Sequence, residues 1–496
     1  MASAENQGAK RSGWVILGIL SCLGLIVMFD ETMILPAIPD FIRDFNISYS
    51  ASSWLLSAYI IAAAVMTPIG GRLSDIYGKK KILLIVMGIY VLGVVGGRFA
   101  TGMETMIAAR AAQGVGMAMF PIAFGIIREV LPEKRLAIGQ TIFSSTFSGG
   151  AVVGLVGGAT LIQNFGWQST FVAILPFAIG LWFAIVKFVH VSPAPQQAGI
   201  GVAGGPQNDR SIDLKGTSVL AATIITFLAG ITFLESSGAG TEYLTVGLFT
   251  ASGLLLAAFI AIEKRVRLPL LDFKLMTSRS FLPPTLILML TFMSIFMVYL
   301  TIPIMVRSPE PLGFGGDVLA VASIQLPFML VLLAGTVLSG FILNKVKNTR
   351  LTLAGTIISA AGFFILLMFH STESEVSFGL TILATGLALS IAGAFNVILV
   401  SVPMQMTGIA LGMTLLLNLV GMSVGPALSG IFQETYQGTV PGVAGTFPTE
   451  SAYILIFVTA AAVSLASVAM AIFVVGRKYA PAITTPDPRE PGKSGA

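Results

Sequence analysis

Charge is scarce: only 10% of the 496 residues are Asp, Glu, Lys or Arg, against roughly 25% in an average soluble chain. That scarcity excludes an ordinary soluble enzyme or nucleic-acid binder. Cysteine occurs once, at Cys22, so no intrachain disulfide can form and redox compartment is unread. The two histidines, His190 and His370, stand far apart at the ends of apolar runs, and neither forms part of a metal-ligand cluster. No Gly-x-x-x-x-Gly-Lys-Ser/Thr run exists to cradle ATP phosphates. No metal, no cofactor and no enzymatic activity are expected, which leaves an ion gradient as the energy source for work.

Apolar residues dominate instead, at 55% with a mean hydropathy of +0.90, the composition of a polytopic membrane protein in contact with the lipid bilayer. The first run follows Lys10 and Arg11 as a signal peptide's would, yet it is long and carries no A-x-A cleavage pattern, so it reads as a retained helix. Fourteen spans are expected, near 14–36, 52–71, 82–100, 104–128, 138–163, 169–190, 216–235, 243–262, 282–306, 318–344, 351–369, 377–401, 409–432 and 452–475. With the N-terminus inside, 24 of the 28 Lys and Arg fall on the inner side, Arg43, Arg98 and Arg307 fall outside, and Arg110 lies within a span. The positive-inside rule therefore puts both termini in the cytoplasm of a multi-pass cell-membrane protein. Orientation accounts for the net charge of +5, and no nucleic-acid partner is implied.

Four segments are expected: a six-helix bundle over 1–191; a linker, two inserted spans and a basic amphipathic loop over 192–280; a second six-helix bundle over 281–477; and a Pro-rich tail over 478–496 with the composition of disordered chain. Two echoes support related halves. GRLSDIYGKKK (Gly71, Asp75) is answered by GFILNKVKNTR (Gly340, Asn344), and GAVVGLVGG (Gly150, Gly154, Gly158) by GMSVGPALSG (Gly421, Gly425, Pro426, Gly430). The glycine steps suit close helix packing. The first loop, with Gly71, Arg72, Asp75, Gly78 and Lys79, can act as a latch between helices, because its glycines permit a tight turn and Asp75 can accept hydrogen bonds from a neighbouring helix end.

The organising stretch is FDET, Phe29 to Thr32, which places Asp30 and Glu31 deep in the first apolar run. Insertion scales charge roughly 2.5–3.5 kcal/mol for such an acid, so one that is kept marks an ion, proton or ligand site. Rise per residue puts Asp30 about 24 Å into the membrane from the inside and Arg110 about 9 Å from the outer end, at similar depth. The two form either a proton switch with a moving partner or a static structural pair. Neighbouring helical residues point about 100° apart, so Glu31 is a second protonation site, a cation ligand, or a neutral residue against another helix. Met289, Phe292, Met293, Phe296, Met297 and Leu300 form a stripe at helical spacing that suits promiscuous apolar binding or plain packing. Met33, Gln113, Phe143, Phe147, Phe292, Phe296, Asn396 and Asn418 are the expected lining of a small-molecule cavity.

These motifs resemble a known family. GRLSDIYGKKK resembles the loop signature of the major facilitator superfamily, and RAAQGVGMAMFP its Arg-x-x-Gln-Gly-x-Gly signature, with Arg110, Gln113, Gly114, Gly116 and Pro121 in place. FDETMILPAIP resembles the LDxTxxNxxLP signature of the fourteen-spanner drug:proton antiporter branch; Asp30, Thr32 and Pro39 match, and Leu35 stands where that branch commonly has Asn. IEKRVRLPLLDFKL is similar to the branch's cytoplasmic loop. GAVVGLVGGA departs from the antiporter signature, with Leu155 in place of its proline. The resemblance implies an all-α transporter of two six-helix bundles plus a two-helix insert, with protons and a hydrophobic or cationic drug-like substrate as partners, working as a monomer by export. Asp30, Glu31 and Arg110 would couple protons, and Gly114, Gly150, Gly154, Gly158, Gly421, Gly425 and Pro426 would serve helix packing. Leu155 leaves proton-coupled uptake of a small organic solute as the alternative.

Overall fold

A computed structural model describes residues 2–190, 214–233, 241–265, 273–343, 346–402 and 407–475. The linker, most of the basic loop, Asn344 of the first echo and the tail lie outside them. The described chain is helical apart from turns and one two-stranded antiparallel pairing, β1 (Gln437–Gly438) with β2 (Phe447–Pro448). In order, the first part has α1 (Ala2–Met33), α2 (Ile38–Phe45), α3 (Tyr49–Ser52), α4 (Trp54–Tyr77), α5 (Lys79–Arg98), α6 (Met103–Gly114), α7 (Met119–Val130), α8 (Glu133–Phe165) and α9 (Gln168–Phe188). Then come α10 (Leu214–Phe233), α11 (Thr241–Glu263) and the short α12 (Phe273–Met276). The last part has α13 (Leu282–Arg307), α14 (Val318–Leu343), α15 (Asn348–Met368), α16 (Glu373–Ser401), α17 (Thr407–Thr435) and α18 (Glu450–Val475).

Among the described residues, 13 helical segments are long and apolar enough to cross a membrane. The expected seventh span corresponds to α10, whose described apolar part, Ser218–Phe227, is too short to count by itself.

Local chemistry sets the breaks. Pro36 and Pro39 supply no N–H to continue α1, and the chain turns through a 3-10 segment, Leu35–Ala37, into α2. Ser48 starts the next helix by accepting a 3.0 Å bond from the Ala51 amide. Gly78, at φ +96°, makes the sharp corner between α4 and α5 that a side chain would strain. Thr372 and Glu375 close a reciprocal cap at the start of α16, with bonds of 3.3 and 3.1 Å.

One pairing scheme occurs twice. α1 packs on α8 and α9, α4 on α6, and α5 on α6 and α9; likewise α13 packs on α17 and α18, α14 on α16, and α15 on α16 and α18. The two sets meet through α4 with α17 and α8 with α14, while α10 touches both α4 and α17. The second echo falls on corresponding seams. A Cβ on Gly150 would stand 2.6 Å from the Leu25 carbonyl, on Gly154 2.1 Å from Thr32 Oγ1, and on Gly158 2.7 Å from Met33, so these three glycines let α8 lie directly on α1. In the other set, a Cβ on Gly421 would stand 2.3 Å from the Met289 carbonyl and on Gly425 2.4 Å from that of Met293, which seats α17 on α13. Met289 and Met293 thus lend their backbones to a seam, and Met297 is fully buried.

Gly149 has open space where a Cβ would go, whereas Gly154 faces backbone and the Thr32 hydroxyl. Gly154→Ala is therefore expected to lower stability by about 1–3 kcal/mol through overpacking and Gly149→Ala to change it little. Thermal unfolding of the two purified variants in one detergent checks the contrast.

Candidate functional site

The site is built where α1, α4 and α6 meet. Asp30 is fully buried among apolar neighbours, and both of its oxygens are engaged. Gln113 Nε2 donates to Oδ1 at 2.8 Å, and Arg110 Nη1 lies 3.5 Å from Oδ2. Arg110 is itself fully buried. Its Nε donates to the Leu55 carbonyl at 3.0 Å, its Nη1 to Gln113 Oε1 at 3.1 Å, and its guanidinium lies 4.5 Å from the centre of the Tyr59 ring. Its Nη2 and the hydroxyls of Tyr59 and Tyr90 are buried with no hydrogen-bond partner among the described residues. A buried charge is tolerated only when paired and hydrogen-bonded, so Arg110 and Gln113 are what keep Asp30 in the interior.

The spacing of Arg110 and Gln113 sets both side chains on one face of α6, which explains why they converge on one carboxylate. Gln113, expected to line a substrate cavity, is fully buried and bonds both the Asp30 carboxyl and the Arg110 guanidinium. Tyr59, Tyr90 and the Leu55 carbonyl were missed. The tyrosines carried a signal, a phenol in the middle of an apolar span, but a backbone carbonyl carries none.

Glu31 is half-buried, in a helix that stays regular through Met33. Thr32 secures the stretch by donating 3.0 Å bonds to the Met28 carbonyl and, across the seam, to Ala151 of α8.

The other expected residues separate into groups. Met33 is fully buried in the seam with Gly158, and Phe143 is fully buried in an aromatic cluster, 4.9 Å edge-on to Phe124 and 5.9 Å from Phe120. Close packing takes both out of a cavity lining in this conformation. Phe147 is half-buried and stacks on Phe120 at 4.0 Å. Phe292 is half-buried, Phe296 sits 5.4 Å from Tyr299, and both belong to α13. Asn396 donates to the Ala392 carbonyl of its own helix at 2.9 Å, while Asn418 is buried with its carbonyl oxygen unpartnered among the described residues. Gly114 is a tight contact: a Cβ there would stand 2.1 Å from the Tyr59 carbonyl.

At the expected latch, Lys79 pairs with Glu129 of α7 and Lys80 donates to the Val186 carbonyl of α9 at 2.8 Å. The tight approach of α4 to the following segment is made by Gly70, whose Cβ would stand 2.6 Å from that of Ala118, and not by Gly71, which has ordinary clearance at 3.6 Å from Pro121. The side chains of Arg72 and Asp75 lie outside the described residues.

At the opposite end, polar ties join the two helix sets. Arg307 of α13 grips Asp40 of α2 with two bonds, 2.5 and 2.9 Å, and reaches the Pro36 carbonyl at 3.4 Å. The Tyr49 amide donates to Glu434 and its hydroxyl to the Thr446 carbonyl, each at 3.0 Å, and the Val318 amide donates to Gln163 at 3.3 Å. Charge counting had treated Arg307 only as an outside cation.

The comparisons with known proteins agree with this architecture. The family model described as "Major Facilitator Superfamily" matches residues 20–426. The chain belongs to that superfamily. It is 25% identical over 430 residues to an uncharacterized MFS-type transporter, YvkA, of Bacillus subtilis, covering 85% of this chain and 91% of the relative. It is 26% identical over 445 residues to the multidrug efflux pump LfrA of Mycolicibacterium smegmatis, covering 88% and 84%. The crystal structure of a D-xylose–proton symporter superposes with a TM-score of 0.63 at 15% identity, over 94% of this chain and 98% of that one. This is a multi-pass membrane transporter of small molecules and not an enzyme.

The bidentate Asp40 to Arg307 pair is the strongest of the ties between the helix sets. Asp40→Asn is expected to shift the population toward a state open at that end. Double electron–electron resonance between spin labels on α2 and α14 should show a longer-distance component in the variant.

Proposed function

We propose that this superfamily member is a proton-coupled exporter of hydrophobic or cationic drug-like compounds, working by alternating access as a monomer in the cell membrane with both termini cytoplasmic. Residues 1–191 and 281–477 rock as two units about a midplane cavity, joined by the segment 192–280. The observation that carries the reading is Asp30: a carboxylate with no exposure to solvent, held by one guanidinium and one amide. Its proton is exchanged when rocking moves Arg110 relative to α1. With Arg110 close, the ionised acid is matched; with Arg110 withdrawn, the acid needs a proton to stay in an apolar interior. The ties at the Asp40 and Arg307 end hold one face closed while the other admits substrate. At the other end the GRLSDIYGKKK loop, with Gly71, Arg72, Asp75, Gly78 and Lys79, latches the complementary state.

Leu155 supports the runner-up, proton-coupled uptake. It is fully buried in α8, which runs unbroken from Glu133 to Phe165, so the kink a proline would bring there is absent. Right-side-out vesicles separate the two directions: export moves substrate outward as protons enter, and uptake moves both inward.

Asp30→Asn removes the exchangeable proton while keeping size and a hydrogen-bond acceptor. In proteoliposomes it is expected to reduce pH-gradient-driven substrate movement by roughly 100-fold, as loss of one proton-transfer group costs in catalysis. Undiminished gradient-driven movement in this variant would remove Asp30 from the coupling role.

A further inference from the structure

The glycine steps of the two halves differ by one residue at their outer ends. In α8 the step continues from Gly154 to Gly158, whereas in α17 it continues from Gly425 to Gly430, and Ser429 stands where the repeat calls for glycine. Residues four apart share a helix face, so α17 presents two rows at this end. Gly421, Gly425 and Gln433 lie in one: both glycines meet α13 carbonyls, and Gln433 donates to Thr301 of α13 at 3.2 Å. Gly430 and Glu434 lie in the next row, about 100° further round than Ser429 and Gln433, and that row faces out of the second helix set.

What it faces is α3, the outermost turn of the span that α4 continues. A Cβ on Gly430 would stand 3.0 Å from the Ser50 Cα, 3.6 Å from the Tyr49 carbonyl oxygen and 3.7 Å from the Ser50 Cβ. One turn further out, Glu434 accepts a 3.0 Å bond from the Tyr49 amide. Gly430 and Ser50 are both buried, and the two helix sets meet here backbone to backbone. The α3 side of this contact is braced. Ser48 accepts the Ala51 amide at 3.0 Å, and the fully buried Ser52 and Ser53 donate to the Tyr49 and Ser50 carbonyls at 2.6 and 2.7 Å. A side chain at 430 would therefore press on fixed backbone, where packed interiors yield little.

Resting on the rocking of two units proposed above, we infer that Gly430 is the seat on which the outer face closes: α17 reaches α3 because position 430 carries no side chain, and a side chain there holds the outer ends apart in proportion to its size. Gly150, Gly154, Gly158, Gly421 and Gly425 fix distances within one helix set, which rocking leaves unchanged. Gly430 fixes a distance between the sets, which rocking must change. The polar ties at this end decide how firmly the closed face holds; Gly430 decides whether that face can close at all.

The test uses the full-length protein in lipid nanodiscs, with Cys22→Ser and spin labels at Asn164→Cys of α8 and Glu450→Cys of α18, exposed positions at the outer ends of the two sets. Gly430→Ala, Gly430→Val and Gly430→Leu are compared with Gly412→Leu, which adds the same bulk to α17 where a Cβ would meet nothing within 4 Å. Gly430→Leu is expected to shift the closed-to-open ratio by roughly tenfold to a hundredfold, as overpacking of this kind does. Double electron–electron resonance reads the shift as a growing longer-distance component. Gly430→Ala should shift it little, Gly430→Val by an intermediate amount, and Gly412→Leu should keep the wild-type distribution. Thermal unfolding checks that each variant is folded, and if Gly430→Leu is not, the Ala and Val variants carry the comparison. Wild-type distances in the folded Gly430 variants, or an equal shift in Gly412→Leu, would overturn the assignment. Asp40→Asn is measured with the same labels. If it opens the outer face while the Gly430 variants stay closed, the role of Gly430 is refuted and rocking stands; if no variant lengthens the distance, the rocking reading fails with it.

Discussion

A carboxylate that has left water must be matched by something, and for Asp30 the match consists of one Arg110 contact and one Gln113 hydrogen bond. Much of the first helix set can be seen as the means of presenting those two groups. α6 carries both on one face. Gly114 lets α6 press against the Tyr59 carbonyl of α4, which brings the Leu55 carbonyl to the guanidinium. Gly150, Gly154 and Gly158 let α8 lie close enough for Ala151 to accept from Thr32. A buried ion pair of this kind is weak evidence of stability, because desolvation offsets most of the attraction.

The same packing device appears in both helix sets. Gly421 and Gly425 seat α17 on α13 as the α8 glycines seat α8 on α1, so each set is internally tight. Between the sets, α4 meets α17 and α8 meets α14, and polar ties gather at the end of Asp40, Arg307, Tyr49 and Glu434. Rigid units joined by ties that can be broken and remade suit rocking better than bending, since packed interiors resist continuous deformation.

Much of this was legible in the sequence, and the reasons differ by feature. Spans follow from apolar run length, because a membrane leaves few alternatives. Asp30 and Arg110 stood out as charges where charge is costly, and the depth estimate placed them level. The glycine steps were visible as spacing, though spacing did not distinguish Gly70 from Gly71, a difference fixed by which face of α4 meets Ala118. Gln113 was recognised, but not its bonds to Asp30 and Arg110, because a polar residue in a span reads equally well as cavity lining or as a partner for a buried charge. The grip of Arg307 on Asp40 could not be read at all, since the two residues are 267 positions apart in the chain and their pairing depends on how the two helix sets meet.

Asp30 as the proton-exchanging group is best tested by infrared difference spectroscopy of the protein in lipid as substrate is added at constant pH. Binding should weaken the protonated-carboxyl C=O absorption and release protons to the medium, and the Asp30 contribution to both signals should be missing from Asp30→Asn while present in the wild type. A carboxyl band and a proton release that persist unchanged in Asp30→Asn would place the exchangeable proton on another residue.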